Sequence, residues 1–144
     1  SELPRPEGSG KPVGTGKRFT FAKNAQGLEH LLVKSDEDST ILIATVKGHE
    51  LPIAFGHRSW REGETAFGHT FINRGLTNAM EPIGASGAWS GGGIFTGKIW
   101  FTETPYALTL TLQFTDDTVT VDPVWNVSFG PTKVDRLTGK AHDF

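Results

Sequence analysis

The stretch Tyr106–Thr115 limits the fold more than any other part of the sequence. Tyr106, Leu108, Leu110, Leu112 and Phe114 fall on one parity, while Ala107, Thr109, Thr111 and Gln113 fall on the other. Apolar residues at every second position put one face of an extended chain in a core and leave the other toward water. A half-buried strand of this length needs neighbouring strands, because its backbone N–H and C=O groups must be paired. The sequence offers them at Arg18–Phe21, Leu28–Lys34, Thr40–Val46, Leu51–Phe55, Ala85–Ser90, Ile94–Thr102 and Thr118–Val127. Turn signals separate these runs: Asn24–Gly27, Asp36–Asp38, Lys47-Gly48-His49-Glu50, Glu103-Thr104-Pro105 and Asp116-Asp117. Thr40–Val46 is apolar on both parities, which predicts a strand covered on both faces. Residues 56–82 are the least regular stretch, and a short helical turn fits there.

Composition agrees with strands. Eighteen glycines, ten phenylalanines and four tryptophans stand against one methionine, and aromatics favour a pleated surface while glycines mark turns and bulges. Strand signals every 8–12 residues without an amphipathic helix predict an all-β protein. About eight strands suffice for a single antiparallel meander to close into a barrel, with a flattened sandwich as the alternative. Residues 1–17 are rich in proline and glycine and nearly devoid of apolar side chains, so they read as a flexible tail or linker to a barrel domain over 18–144. Such a tail should add little stability.

Charge and chemistry narrow the function. A net charge of −2 lacks the basic excess of nucleic-acid and anionic-membrane binders. No apolar run approaches the ~18 residues of a membrane helix. No secretory leader opens the chain as given, which predicts a cytoplasmic protein. The absence of cysteine excludes a disulfide scaffold, a thiolate metal site and a cysteine nucleophile. Neither Ser-x-x-Lys nor Gly-x-Ser-x-Gly occurs. Gly92–Lys98 (GGIFTGK) imitates a phosphate loop, but Ile99 replaces the hydroxyl residue and a strand follows, so hairpin glycines are the expectation. The five histidines form no metal-ligand pair, and no metal or other cofactor is expected. Asn126-Val127-Ser128 is a glycosylation sequon, expected to go unused.

Polar residues among aromatics supply the candidate site. Small-molecule sites combine apolar walls with a few convergent polar groups. Phe101 and Glu103 share a parity, which sends the Glu103 carboxylate to a barrel rim. His57 shares the parity of Phe55 and points inward. Arg58 points outward unless Gly56 kinks the chain. Gly87 leaves room beside Trp89 for a ring or a ligand.

Three blocks carry a resemblance: Ser86-Gly87-Ala88-Trp89, Lys98–Tyr106 (KIWFTETPY) and Trp125–Gly130 (WNVSFG). They resemble the C-terminal domain that follows the catalytic domain in many serine β-lactamase-like hydrolases, among them esterases, D-aminopeptidases and penicillin-binding-protein-like enzymes. Phe21, Asn24, Gly27-Leu28-Glu29 and the Gly56…Trp60 pair fit the same pattern, so the similarity spans most of the chain beyond residue 18. Ser90–Gly93 is more glycine-rich than the pattern, and residues 57–82 depart from it. The resemblance implies a lipocalin-like barrel beside a hydrolase active site. The family's catalytic residues lie in the other domain, so none is carried over.

Three expectations follow. The first is a non-catalytic barrel that binds a small apolar or amphipathic molecule, or serves a serine hydrolase domain as an accessory. Trp60, Trp89, Phe95 and Phe101 would form its walls, Arg58 an anion handle, and Asn126 would complete the ligand-binding set. The second is a cofactor-free cyclase, isomerase or dehydratase, with Glu103, His57 or His69 as acid or base. The third is an assembly module using the threonine-rich face of residues 107–113.

Overall fold

The computed structural model describes Gly8 and residues 10–65, 81–102, 106–127 and 130–142. Among these residues there is no helix. Eleven strands form one sheet: β1 (Arg18–Phe21), β2 (Leu28–Ser35), β3 (Ser39–Val46), β4 (His49–Gly56), β5 (Arg61–Thr65), β6 (Glu81–Ser90), β7 (Ile94–Phe101), β8 (Ala107–Thr115), β9 (Thr118–Val127), β10 (Gly130–Lys133) and β11 (Leu137–His142). The order β9-β11-β1-β2-β3-β4-β6-β7-β8 returns to β9, so nine strands close a barrel. Short β10 and β5 pair with β9 and β6 beyond the ends of β11 and β4.

This corrects the expected eight-stranded antiparallel meander in two places. First, β4 and β6 run parallel and share a single register pair, Gly56↔Ser86. The chain leaves the wall at Gly56, where a Cβ would collide with the Ser59 carbonyl, and then lays β5 antiparallel along residues 81–85 of β6. Second, β10 and β11 follow one another along β9, with the register slipping by one residue between Lys133↔Val124 and Leu137↔Val121. Pro123 explains the slip. Its carbonyl accepts the Val134 N–H at 3.1 Å, so its missing N–H faces this edge, and a bulge is tolerated where the ladder lacks a donor. The stretch read as irregular thus begins with a strand, while residues 66–80 lie outside the described residues.

Turn chemistry sets the hairpins. Lys47 and Gly48, both at positive φ (50° and 83°), join β3 to β4, the geometry that matches strand twist in a two-residue hairpin. The glycine run read as a mimic of a phosphate loop forms the β6–β7 turn, with Gly92 and Gly93 at positive φ.

Inward rows alternate as the period of two requires. Leu108, Leu110, Leu112 and Phe114 of β8 are all buried, with Phe95, Ile99 and Phe101 of β7 beside them. Their rings form a chain through the interior. Phe55 meets Phe95 edge-on at 5.5 Å, Phe95 meets Trp89 at 5.1 Å, Trp89 meets Phe114 at 5.5 Å, and Phe114 meets Phe19 at 5.5 Å. Toward the other end, Phe101 stacks on Trp125 at 5.3 Å.

The segment expected to be a loose tail makes specific contacts. Gly10 N–H donates to the Trp89 carbonyl at 2.8 Å and Gly16 N–H to the Val33 carbonyl at 2.9 Å. Residues 10–17 therefore cross the barrel end at which β6 and β8 finish.

Candidate functional site

The polar centre of the barrel is Thr40, at the inward-facing start of β3 and fully buried. Its hydroxyl has three partners from three other parts of the wall. Trp89 Nε1–H of β6 donates to Thr40 Oγ1 at 2.9 Å. Ser35 Oγ of β2, its cross-strand partner, lies 2.8 Å away. His57 Nε2, just beyond β4, also lies 2.8 Å away. His57 turns inward because it continues the parity of Ile53 and Phe55, and its own N–H is tied to the Asp38 carbonyl at 2.8 Å.

The partners fix the proton positions in the neutral ring. His57 Nδ1 faces the Glu37 carbonyl at 3.0 Å. A carbonyl only accepts, so Nδ1 carries the hydrogen and Nε2 is the acceptor. Thr40 O–H then donates to His57 Nε2, and its two lone pairs receive Trp89 N–H and the Ser35 hydroxyl. Every polar atom is satisfied, as a buried network requires.

This cluster sits at the weakest seam of the barrel. β4 and β6 share one backbone register pair, and Ser86 Oγ adds a buried 2.8 Å bond to the Gly56 carbonyl there. The Thr40 network links β2, β3 and the end of β4 to Trp89 on β6 across the same junction. Its bonds tie these strands together. A catalytic hydroxyl must reach substrate, and Thr40 is fully enclosed.

The loop above it is held by Asp36, whose Oδ1 accepts the N–H groups of Asp38 (2.8 Å) and Ser39 (2.9 Å). The Ser39 bond first, then the Asp38 bond, holds the Asp36 carboxyl below its ordinary 3.8, with smaller help from His57 and Arg61. A carboxyl with a depressed folded value stabilises the fold above its unfolded value, and that contribution disappears as pH falls through the folded value. Asp36→Asn is therefore expected to flatten the acid limb of stability below about pH 4, as read from melting curves across that range. An unchanged acid limb would remove Asp36 from this role.

The other sequence-derived residues fall in different places. Trp89 and Phe95 meet in the core, and His57 joins them through Thr40. Phe101 lies toward the opposite end of the barrel, against Trp125. Trp60 is on the outer surface: it packs over Gly84 and meets Trp100 edge-on at 6.4 Å, Gly84 and Trp100 being outward-facing partners. Its Nε1 is enclosed without a hydrogen-bond partner among the described residues. Arg58 and Asn126 are exposed, Asn126 opposite outward-facing Ala107. Glu103 and His69 lie outside the described residues.

Sequence reasoning missed Thr40, Ser35 and Phe55. One signal for Thr40 was present: it heads the parity row Thr40, Leu42, Ala44, Val46, so it is a hydroxyl at an inward position. The room expected beside Gly87 is taken by the protein's own rings. Gly87 faces Gly97 across β6 and β7, and Phe95 and Phe55 lie over the pair. Among the described residues, no three His, Asp or Glu side chains converge as metal ligands, and no helix is long and apolar enough to cross a membrane.

The sequence matches no family model, and comparison with curated proteins and with solved structures also finds no match.

Proposed function

We propose that this chain is a non-catalytic, lipocalin-like barrel that serves a serine hydrolase domain as an accessory and docks on it through the outer face of β2, β3 and β4. The observation that carries this reading is the composition of that face. Leu32, Ile41, Ile43 and Ala54 are outward-facing and only partly buried, and Pro52 beside them is exposed. The register makes them neighbours: Leu32↔Ile43, Ile43↔Pro52 and Ile41↔Ala54. The outer face of a strand pair in water normally alternates to polar residues. A contiguous apolar patch rimmed by Lys34, His30 and Glu50 has the make-up of a protein interface. The sequence asks for β3 to be covered on both faces, and the barrel interior supplies one cover.

Two further features support the reading. The aromatic interior is filled by contacts among its own rings, which favours docking over an internal ligand. The hydroxyl that His57 faces, Thr40, is fully enclosed, which favours a non-catalytic role. The blocks that resemble hydrolase C-terminal domains supply the partner class.

The test is co-expression with the serine hydrolase domain encoded in the same gene or beside it. A stable complex is expected, weakened at least about tenfold by Ile43→Glu. The variant itself should stay within about 1 kcal/mol of the parent stability, because the position is on the outside. A complex indifferent to Ile43→Glu, or none at all, would sink the reading.

A further inference from the structure

We propose that the barrel rim formed by Val33, Trp89, Ser90, Gly93 and Phe114 is a docking groove for an extended, glycine-punctuated polypeptide, held in cis by Gly8 and residues 10–17 of the same chain. The edge of β6 next to β4 is filled piecewise: β5 pairs with residues 81–85, β4 reaches Ser86 alone, and the Trp89 carbonyl beyond them takes Gly10 N–H at 2.8 Å. One backbone bond to an open strand edge is the kind of contact from which strand addition, a mode by which extended peptides are bound, is built.

The groove is selective for residues without a side chain. A Cβ on Gly8 would collide with the Trp89 carbonyl. A Cβ on Gly10 would collide with the Ser90 carbonyl and lie 2.8 Å from Ser90 Cα. These neighbours are backbone, so they cannot swing aside. Further along, Gly14 has φ +73°, and a Cβ there would lie 2.6 Å from Phe114 Cδ2. The segment therefore rests flat on the Phe114 ring, and Val13 lies against Gly93. Gly16 N–H on the Val33 carbonyl closes the run at 2.9 Å. Glycine at three set positions, two of them against backbone, is a recognition pattern and differs from the indifference of a loose linker.

Most of the segment's surface remains exposed. Among the described residues its hold is two backbone bonds and close contact, with Lys17 Nζ adding an exposed 3.4 Å bond to the Asp116 carbonyl and a 3.8 Å ion pair to Asp117, worth little in water. A segment held this lightly competes with any matching segment presented from outside. The docked copy is thus an intramolecular occupant of a peptide site.

The experiment uses the full chain and a fluorescein-labelled peptide of residues 8–17. Gly10→Val in the full chain dislodges the resident segment and frees the rim. Fluorescence anisotropy should show saturable binding of the peptide to this variant. Binding to the parent chain should be at least about tenfold weaker, since the tethered copy competes at millimolar effective concentration. A peptide carrying the same Gly10→Val change should bind neither chain. Equal binding to both chains, or none to the variant, overturns the proposal. Hydrogen exchange on the parent chain provides a check that does not depend on the variant folding: the Gly10 and Gly16 amides should be protected, and exchange at unstructured rates overturns the proposal as well.

Discussion

Replacing Thr40 by valine should cost about 2–4 kcal/mol of stability and lower the melting temperature by roughly 10 °C. Valine keeps the shape and the β propensity, so only the hydroxyl is lost. Three groups then face a methyl group. Trp89 Nε1–H is inside the core, and Thr40 Oγ1 is its acceptor among the described residues. His57 Nε2 and Ser35 Oγ lose their 2.8 Å partner. A buried donor or acceptor left unpaired costs about 1–3 kcal/mol, and more water reaches Ser35 and His57 than Trp89, so the sum is less than three full penalties. Thr40→Ser keeps the hydroxyl and loses one methyl, for a cost near 1 kcal/mol. Urea unfolding followed by tryptophan fluorescence separates the two. If the valine variant matched the parent, or the serine variant were the worse of the pair, Thr40 would not be the hub of the seam.

That network shows how far sequence reasoning reached. The inward aim of His57 follows from parity alone, because Ile53, Phe55 and His57 continue one row with no bulge between them. What His57 meets could not be read, since Thr40 and Trp89 come from strands 17 and 49 positions away from their partners in the cluster. Trp60 lies outside because the 57–60 loop breaks the parity count, and β5 then pairs with β6 instead of continuing β4. β5 itself carries no apolar side chain in its sequence REGET, so hydrophobic period could not signal it. β10 and β11 were missed for a related reason. Leu137 and Gly139 are the buried residues of β11, and a single leucine makes no visible period.

The glycines carried two opposite meanings that composition alone does not separate. In a linker, glycine means freedom and lost order. At Gly8, Gly10 and Gly14 it means close approach, because backbone or ring occupies the place of a Cβ. The first meaning is the default for a Pro/Gly-rich stretch without apolar residues. The second needs the position of a neighbour. The same holds for the Gly87↔Gly97 pair, where the sequence suggests a vacancy and the fold supplies two phenylalanine rings.

Gly97→Ala is accordingly expected to cost about 2–3 kcal/mol although it adds a single methyl group. The new Cβ would lie 2.6 Å from Phe55 Cε2 and 3.0 Å from Phe95 Cε2. Both rings are fully buried and braced against each other at 5.5 Å, and Phe95 is also braced against Trp89 at 5.1 Å. Moving Phe55 aside means moving Phe95, and moving Phe95 disturbs the indole that bonds Thr40. Rings laid over facing glycines are a recognised means of covering bare backbone in a sheet, so Gly97 and Phe55 should act as one unit. A double-mutant cycle tests this. Phe55→Leu alone should cost about 1–3 kcal/mol by loosening the core. Combined with Gly97→Ala it should cost at least about 1 kcal/mol less than the two single changes added together, because the smaller side chain yields the space the methyl needs. Chemical denaturation of the four proteins gives the coupling. Strict additivity would mean that the ring and the glycine do not share that space, and the packing of this end of the barrel would have to be explained without it.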